Sequence, residues 1–94
     1  MDDIRQELLE LQTLQGIDFV RQLKLIVSRK EFRPLDTDPD IFYMGGENDT
    51  DFPRLIDAAR KAVEHGYRVF VLPNPKGFRT ADFIFERKGV YKMF

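Results

Sequence analysis

Asp82 is the side chain whose position in the sequence points most directly to chemistry. It stands between Ala81 and the apolar run Phe83-Ile84-Phe85, where an unpaired charge would be costly to bury. Because side chains alternate along a strand, Asp82 and Glu86 share one face, roughly 13 Å apart at about 3.3 Å per residue. Two carboxylates at that distance do not chelate one ion by themselves. We therefore expect Asp82 to need a cation, a metal ion or a hydrogen-bond donor.

A loop rich in hydrogen-bond donors precedes Asp82. Four of its side chains suit a phosphate group, namely Asn74, Lys76, Arg79 and Thr80. Phe78 could stack on a nucleic-acid base beside them. The stretch from Asn74 to Gly77 is equally a good turn whose charges are solvated. The residues alone leave a nucleic-acid-binding loop and a plain turn as the two interpretations.

Composition limits how nucleic acid could be bound and where the protein works. Fifteen basic and sixteen acidic residues give a net charge of -1, so binding must depend on a local patch. The absence of cysteine excludes disulfides and thiolate metal sites and suits a reducing compartment, so we expect a cytoplasmic location. The acidic Met1-Asp2-Asp3 does not fit a signal peptide, and no apolar run approaches about 20 residues. We expect a soluble protein that does not contact a membrane.

Apolar spacing predicts three helices. The first ends near Gln15, the second runs from Ile17 to Lys30, and Gly16 weakens the joint between them. The third helix begins at Asp51 with Pro53 in its first turn and closes at His65-Gly66. His65 could act as a general base near neutral pH, but its place in the last turn favours a capping role.

The strands are predicted mainly in the second half of the chain. The pattern indicates a meander of Tyr67–Leu72, Ala81–Glu86 and Val90–Phe94, with a hairpin turn at Arg87-Lys88-Gly89 and a further short strand at Ile41–Met44. We expect one α+β domain over residues 1–94, composed of a helical segment (1–31), a loop (32–50), and a helix with its meander (51–94). The helices should pack on one face of an antiparallel sheet of three or four strands. The last predicted strand continues to Phe94 with no residue that would end it. We therefore expect it to be either an edge strand or a strand that the sequence cuts short.

The second half of the chain resembles the C-terminal nuclease domains of contact-dependent inhibition toxins and of phage and mobile-element polymorphic toxins. The resemblance lies in Ala58–Val69, which contains a His-Gly-Tyr-x-Val sequence, and in Leu72–Pro75 and Ala81–Ile84. By this resemblance Asp82 matches the strand carboxylate of the family, and Glu64 matches a helix position from which some members add an acid. In metal-dependent members such carboxylates hold a divalent cation, here Mg²⁺, that activates water for phosphodiester cleavage.

The sequence departs from that family at its acidic-x-Lys motif. The motif should lie on the third strand or just after it, but Val90–Phe94 contains no acid. The tripeptide Glu86-Arg87-Lys88 matches the acidic-x-Lys pattern, but it begins on the preceding strand and runs into the turn. Two explanations stay open. Either the chain stops before the motif, in which case we expect an incomplete nuclease that is inactive by itself, or it cleaves without metal by acid–base groups such as His65, Lys76, Arg79 and Lys88.

The resemblance thus implies a nuclease with Asp82, Glu64 and Lys88 as catalytic candidates and Asp82 as metal ligand. Its substrate would be RNA, tRNA among others, or DNA, and its second partner a cognate immunity protein. The alternative is a non-catalytic interaction module of a phage or mobile element. In that case the sheet and the first two helices would bind a protein.

Overall fold

The computed structural model describes residues 4–73 and 81–94. Across these residues the helices are α1 (Ile4–Leu11), α2 (Gly16–Val27) and α3 (Phe52–Glu64), and the strands are β1 (Arg33–Pro34), β2 (Ile41–Tyr43), β3 (Arg68–Val71), β4 (Phe83–Arg87) and β5 (Val90–Met93). The strands form one sheet in the order β1-β2-β3-β4-β5. The predicted α+β class is confirmed. The described part of the sheet has five strands, however, and not three or four.

The sheet is mixed because α3 forms a crossover between β2 and β3. These two strands are parallel, with Ile41 opposite Val69 and Tyr43 opposite Val71, whereas the other neighbouring pairs are antiparallel. The prediction of a purely antiparallel sheet is therefore wrong. The prediction included a short strand at Ile41–Met44 but did not connect it through α3 to the strand that follows.

Helices cover both faces of the sheet, so the expectation of helices on a single face is wrong. On one face, Leu23 and Ile26 of α2 pack with Phe70 and Ile84, joined by residues of α1. On the other, α3 packs on a second core cluster whose members are Ile41, Ile56, Ala59, Ala62, Val69, Val71 and Phe83. The reason lies in β3, where Val69, Phe70 and Val71 are consecutive buried residues. A strand without polar alternation must be covered on both sides.

The end of α3 follows the sequence signals more closely than its start. His65 is the C-cap and Gly66 follows with φ +88°, as a left-handed C′ residue requires. At the start, Asp51 makes no side-chain capping hydrogen bond. Its carboxylate lies instead 3.4 Å from the guanidinium of Arg54. The expected capping position of His65 is confirmed, whereas the carboxylate of Asp51 does not cap the start of the helix.

The β4–β5 hairpin turns on two residues with positive φ, Lys88 at +53° and Gly89 at +80°. Such a pair matches the twist of the flanking strands.

None of the helices in the described ranges is long and apolar enough to cross a membrane.

Candidate active-site cleft

A cleft of about 360 Å³ opens at the end of the sheet where β2 and β3 finish. Its walls are the loop after β2, the first turn of α3, the end of β3 and the start of β4, and they include Gly45, Gly46, Asp49, Asp51, Arg54 and Asp82. In sheets with a helical crossover, ligands bind outside the carboxyl ends of the parallel strands. The cleft has that position.

Asp82 is held at this cleft by the backbone of its neighbours. Its carbonyl accepts a hydrogen bond from the N–H of Leu72 at 2.9 Å. The next residue, Phe83, exchanges two backbone hydrogen bonds with Phe94, at 2.8 and 2.9 Å. The side chain of Asp82 is half-buried and lines the cleft. Asp82 therefore stands where the end of β3, the start of β4 and the end of β5 meet.

The loop after β2 adds two carboxylates to the same cleft, those of Asp49 and Asp51, and α3 adds Arg54. The side chains of Asp51 and Arg54 are both about two-thirds exposed, 68% and 67%, so their ion pair is weak. Arg54 can thus exchange its contact with Asp51 for a phosphate group, which the guanidinium binds in a bidentate manner.

The carboxylates of the cleft do not form a complete protein cage for a metal ion. Within residues 4–73 and 81–94, no group of three or more His, Cys, Asp or Glu side chains could hold one. This donor set still fits Mg²⁺, because that ion is commonly bound by one or two carboxylates, with water and substrate phosphate completing its shell. Asp82 is the side chain placed to be such a ligand.

The structure separates Glu64 and Lys88 from Asp82. Phe52, at the start of α3, lines the cleft, and Glu64 ends the helix about 18 Å away at 1.5 Å per residue. Lys88 is in the β4–β5 turn, where the neighbouring Arg87 donates to the carbonyl of His65 at 3.0 Å. Glu64, His65 and Lys88 thus lie at the opposite end of the sheet. The expected grouping of Asp82, Glu64 and Lys88 is not formed.

Glu86 holds the hairpin together. Its carboxylate accepts one hydrogen bond from Arg68 Nε at 2.5 Å and one from the N–H of Gly89 at 2.9 Å. The Gly89 hydrogen bond and, after it, the Arg68 hydrogen bond lower the pKa of Glu86 below its ordinary value. Because both oxygens are engaged, Glu86-Arg87-Lys88 does not serve as the missing acidic-x-Lys motif.

The predicted phosphate-binding residues Asn74, Lys76, Arg79 and Thr80 lie outside the described residues. Their segment joins Pro73 to Ala81 in the sequence. Pro73 lines the cleft, and so does Asp82, directly after Ala81. The binding role of these four side chains stays a prediction.

Sequence reasoning missed the contribution of Gly45, Gly46, Asp49 and Arg54. The signal was present as a short strand, a Gly-Gly loop and a Pro-containing helix start in succession, which is the order of a strand–loop–helix unit with a ligand site at its loop. Gly45 and Gly46 have φ of +71° and +83°, which lets the loop turn back over the cleft.

Comparisons of the chain with protein-family models, with curated proteins and with solved structures find no match. Arguments about function therefore depend on the geometry of the cleft and on the pattern of residues around it.

Proposed function

We propose that this chain is a toxin-type nuclease module that cleaves a phosphodiester bond of RNA, tRNA among others, or of DNA at the Asp82 cleft. The observation that carries the proposal is the place of Asp82, half-buried at the carboxyl ends of the parallel strands β2 and β3 and beside the first turn of α3. A carboxylate at this position can bind a cation without the desolvation cost of full burial.

The other residues of the cleft suit a phosphodiester substrate. Arg54 offers a guanidinium for a phosphate oxygen. Asp49 brings a second carboxylate to the same cleft. When bound, Mg²⁺ would supply charge neutralisation and an activated water molecule.

The pairing of β5 supports the proposal from a second side. Phe94 lies directly opposite Phe83, the residue after Asp82. The end of β5 therefore lies beside the start of the β4 segment, where Asp82 stands. In the resembling nucleases the acidic-x-Lys motif belongs on the third strand or just after it, and this geometry would bring the motif to the strand carboxylate.

The proposal is tested with the protein expressed from its complete gene and incubated with labelled tRNA and labelled DNA, with and without Mg²⁺. We expect cleavage that Asp82→Asn reduces by about 100-fold or more, since removing a metal ligand costs several kcal/mol of transition-state stabilisation. The matched control is Glu64→Gln, an exposed carboxylate at the other end of α3, which should leave the rate unchanged. Equal cleavage by Asp82→Asn, or no cleavage of either substrate, would contradict the proposal.

A second candidate function is a non-catalytic interaction module, as the exposed apolar side chains of α2 would suit. Ile17 and Leu25 are 66% and 61% exposed, so they are accessible to a partner that packs on this helix. The test is the mass of the protein in solution together with recovery of a partner in pull-downs with wild type and Leu25→Glu. A strict monomer that recovers no partner would count against this function.

A further inference from the structure

The β4–β5 hairpin has one face that is partly open to solvent, on the side of the sheet that α3 occupies. We call it the hairpin face and define it by Phe85, Arg87, Val90, Lys92 and Phe94. These side chains lie on the same face because directly paired residues, and every second residue along a strand, point to the same side of a sheet. Phe85 pairs with Lys92 and Arg87 with Val90, and Phe94 pairs with Phe83. Helix α3 packs on β2 and β3, so it leaves this part of the sheet open. Val90 and Phe94 are each 58% exposed.

Aromatic rings form a continuous row along the hairpin face. The ring centroid of Phe85 lies 4.8 Å from that of Phe94, 5.4 Å from that of Tyr67 and 5.6 Å from that of Phe83. These contacts hold each ring against a neighbour, so little side-chain freedom is lost when a flat ligand stacks on them. Phe94 is the most accessible ring of the row.

Positive charge surrounds these rings. The hairpin from Phe83 to Phe94 contains the cations Arg87, Lys88 and Lys92 and the single acid Glu86. Glu86 lies opposite Tyr91 in the β4–β5 pairing, so its side chain is on the other face of the hairpin. Its carboxylate forms an ion pair with Arg68. In the described part of the chain, no salt bridge engages Lys88 or Lys92. The hairpin therefore has an excess of cations over acids, although the whole chain has a net charge of -1.

Arg87 is prepared for a planar or anionic ligand. Its guanidinium carbon lies 4.4 Å above the ring centroid of Tyr67, and one of its nitrogens donates to the carbonyl of His65. These two contacts fix the guanidinium, while its remaining N–H groups are available. A fixed guanidinium binds a phosphate with a smaller entropic cost than a free one.

We propose that the hairpin face binds single-stranded nucleic acid, with unpaired bases stacked on Phe94 and Phe85 and phosphates on Lys92, Lys88 and Arg87. Aromatic platforms between cations are the common solution for single strands, because every base has a face that can stack. A duplex hides those faces. A protein partner fits less well, because lysine is depleted in the core of protein interfaces and Lys92 stands in the middle of this surface.

The hairpin face also leads toward the cleft. From Val90 to Phe94 it extends about 14 Å at about 3.4 Å per residue, and Phe94 pairs with the residue next to Asp82. A strand bound along β5 would reach Asp82 at one end. This last step rests on the proposed nuclease function, whereas the binding itself does not.

The test is fluorescence anisotropy with labelled dT15 and rU15 oligonucleotides in EDTA, where metal-dependent cleavage does not interfere. We expect Lys92→Glu to weaken binding by about tenfold or more and Phe94→Ala by about fivefold or more, because stacking contributes about 1–3 kcal/mol per base. The logarithm of affinity should fall with the logarithm of salt concentration with a slope of about -2, for three phosphates at about -0.7 each. Lys92→Glu should make this slope shallower.

The controls separate specific binding from general attraction. Lys24→Glu makes the same charge change on exposed α2, and Ile17→Ala removes a similarly exposed apolar side chain; neither should change the affinity. Circular dichroism and the melting temperature should show that all variants are folded. Equal binding of a duplex or of polyglutamate, no effect of Lys92→Glu and Phe94→Ala, or no binding at all would overturn the proposal. Binding without any cleavage would retain it and count against the nuclease function alone.

Discussion

Glu86 provides a sharp test of how the β4–β5 hairpin is held. The carboxylate joins Arg68 of β3 to the backbone of the turn at Gly89, and Arg68 in turn lies over the rings of Phe42 and Phe70, at 5.9 and 5.7 Å. Replacing Glu86 by Gln retains the shape and one oxygen acceptor but removes the charge. The variant therefore measures the loss of the charge together with the loss of one of the two accepted hydrogen bonds.

The size of the effect follows from the surroundings of the pair. Hydrogen bonds to charged groups contribute about 1.5–3 kcal/mol when they are shielded. The side chain of Glu86 is 11% exposed but that of Arg68 is 47% exposed, so solvent screening reduces the ion-pair contribution. We expect Glu86→Gln to lower the free energy of unfolding by about 1–2 kcal/mol at pH 7, with about 4–8 °C in melting temperature for each kcal/mol.

The pH dependence of this difference has a defined sign. Because the pKa of Glu86 is lowered in the folded state, its stabilising contribution is present above the ordinary pKa of glutamate, about 4.3. It is lost as the pH falls through the lowered value. The difference between wild type and Glu86→Gln should thus be constant from pH 7 to about pH 5 and shrink at lower pH.

Urea unfolding of wild type and Glu86→Gln, followed by circular dichroism at several pH values, measures this difference. Glu64→Gln, a substitution of the same kind at an exposed position, is the control and should change the free energy of unfolding by less than about 0.5 kcal/mol. The reasoning is refuted if Glu86→Gln is as stable as wild type at pH 7, or if its deficit does not shrink in acid.

Two further predictions concern the core and the turn, and both are checked by urea unfolding. Ile84 is fully buried, so Ile84→Ala should cost about 2–5 kcal/mol; a loss below 1 kcal/mol would show that β4 is not central to the core. Gly89 has φ +80°, so Gly89→Ala should destabilise by about 1–2 kcal/mol, whereas Lys88→Asn should stabilise by a few tenths of a kcal/mol because Asn-Gly suits this turn. Opposite signs would contradict the turn geometry.

The elements of the second half of the chain were predictable because strong local signals agree there. Pro53 and Gly66 mark the two ends of α3, and Gly89 marks the hairpin, each through a backbone restriction that does not depend on distant residues. The five-strand sheet was not predictable in the same way. β1 contains only Arg33 and Pro34, and its existence depends on pairing with β2, a non-local contact that no periodicity shows.

The candidate site was predictable only in part, for a related reason. Asp82 was identified from its own apolar neighbours, which are local in sequence. Asp49 and Arg54 come to the same cleft only because β2 is parallel to β3. Glu64 was a catalytic candidate because its position in the helix resembles that of an acid in some toxin nucleases. It lies in the last turn of a helix of 13 residues, whereas Asp82 lies near the first turn. The direction of α3 therefore decides which of its residues can meet Asp82.

The two carboxylates of the β4 segment differ in the contacts that the fold gives their oxygens. Glu86 meets two donors, Arg68 and the N–H of Gly89, and both of its oxygens are used within the fold. Asp82 has no side-chain donor among residues 4–73 and 81–94 and opens onto a cleft. This difference makes Asp82 the group whose substitution should change activity, and Glu86 the group whose substitution should change stability.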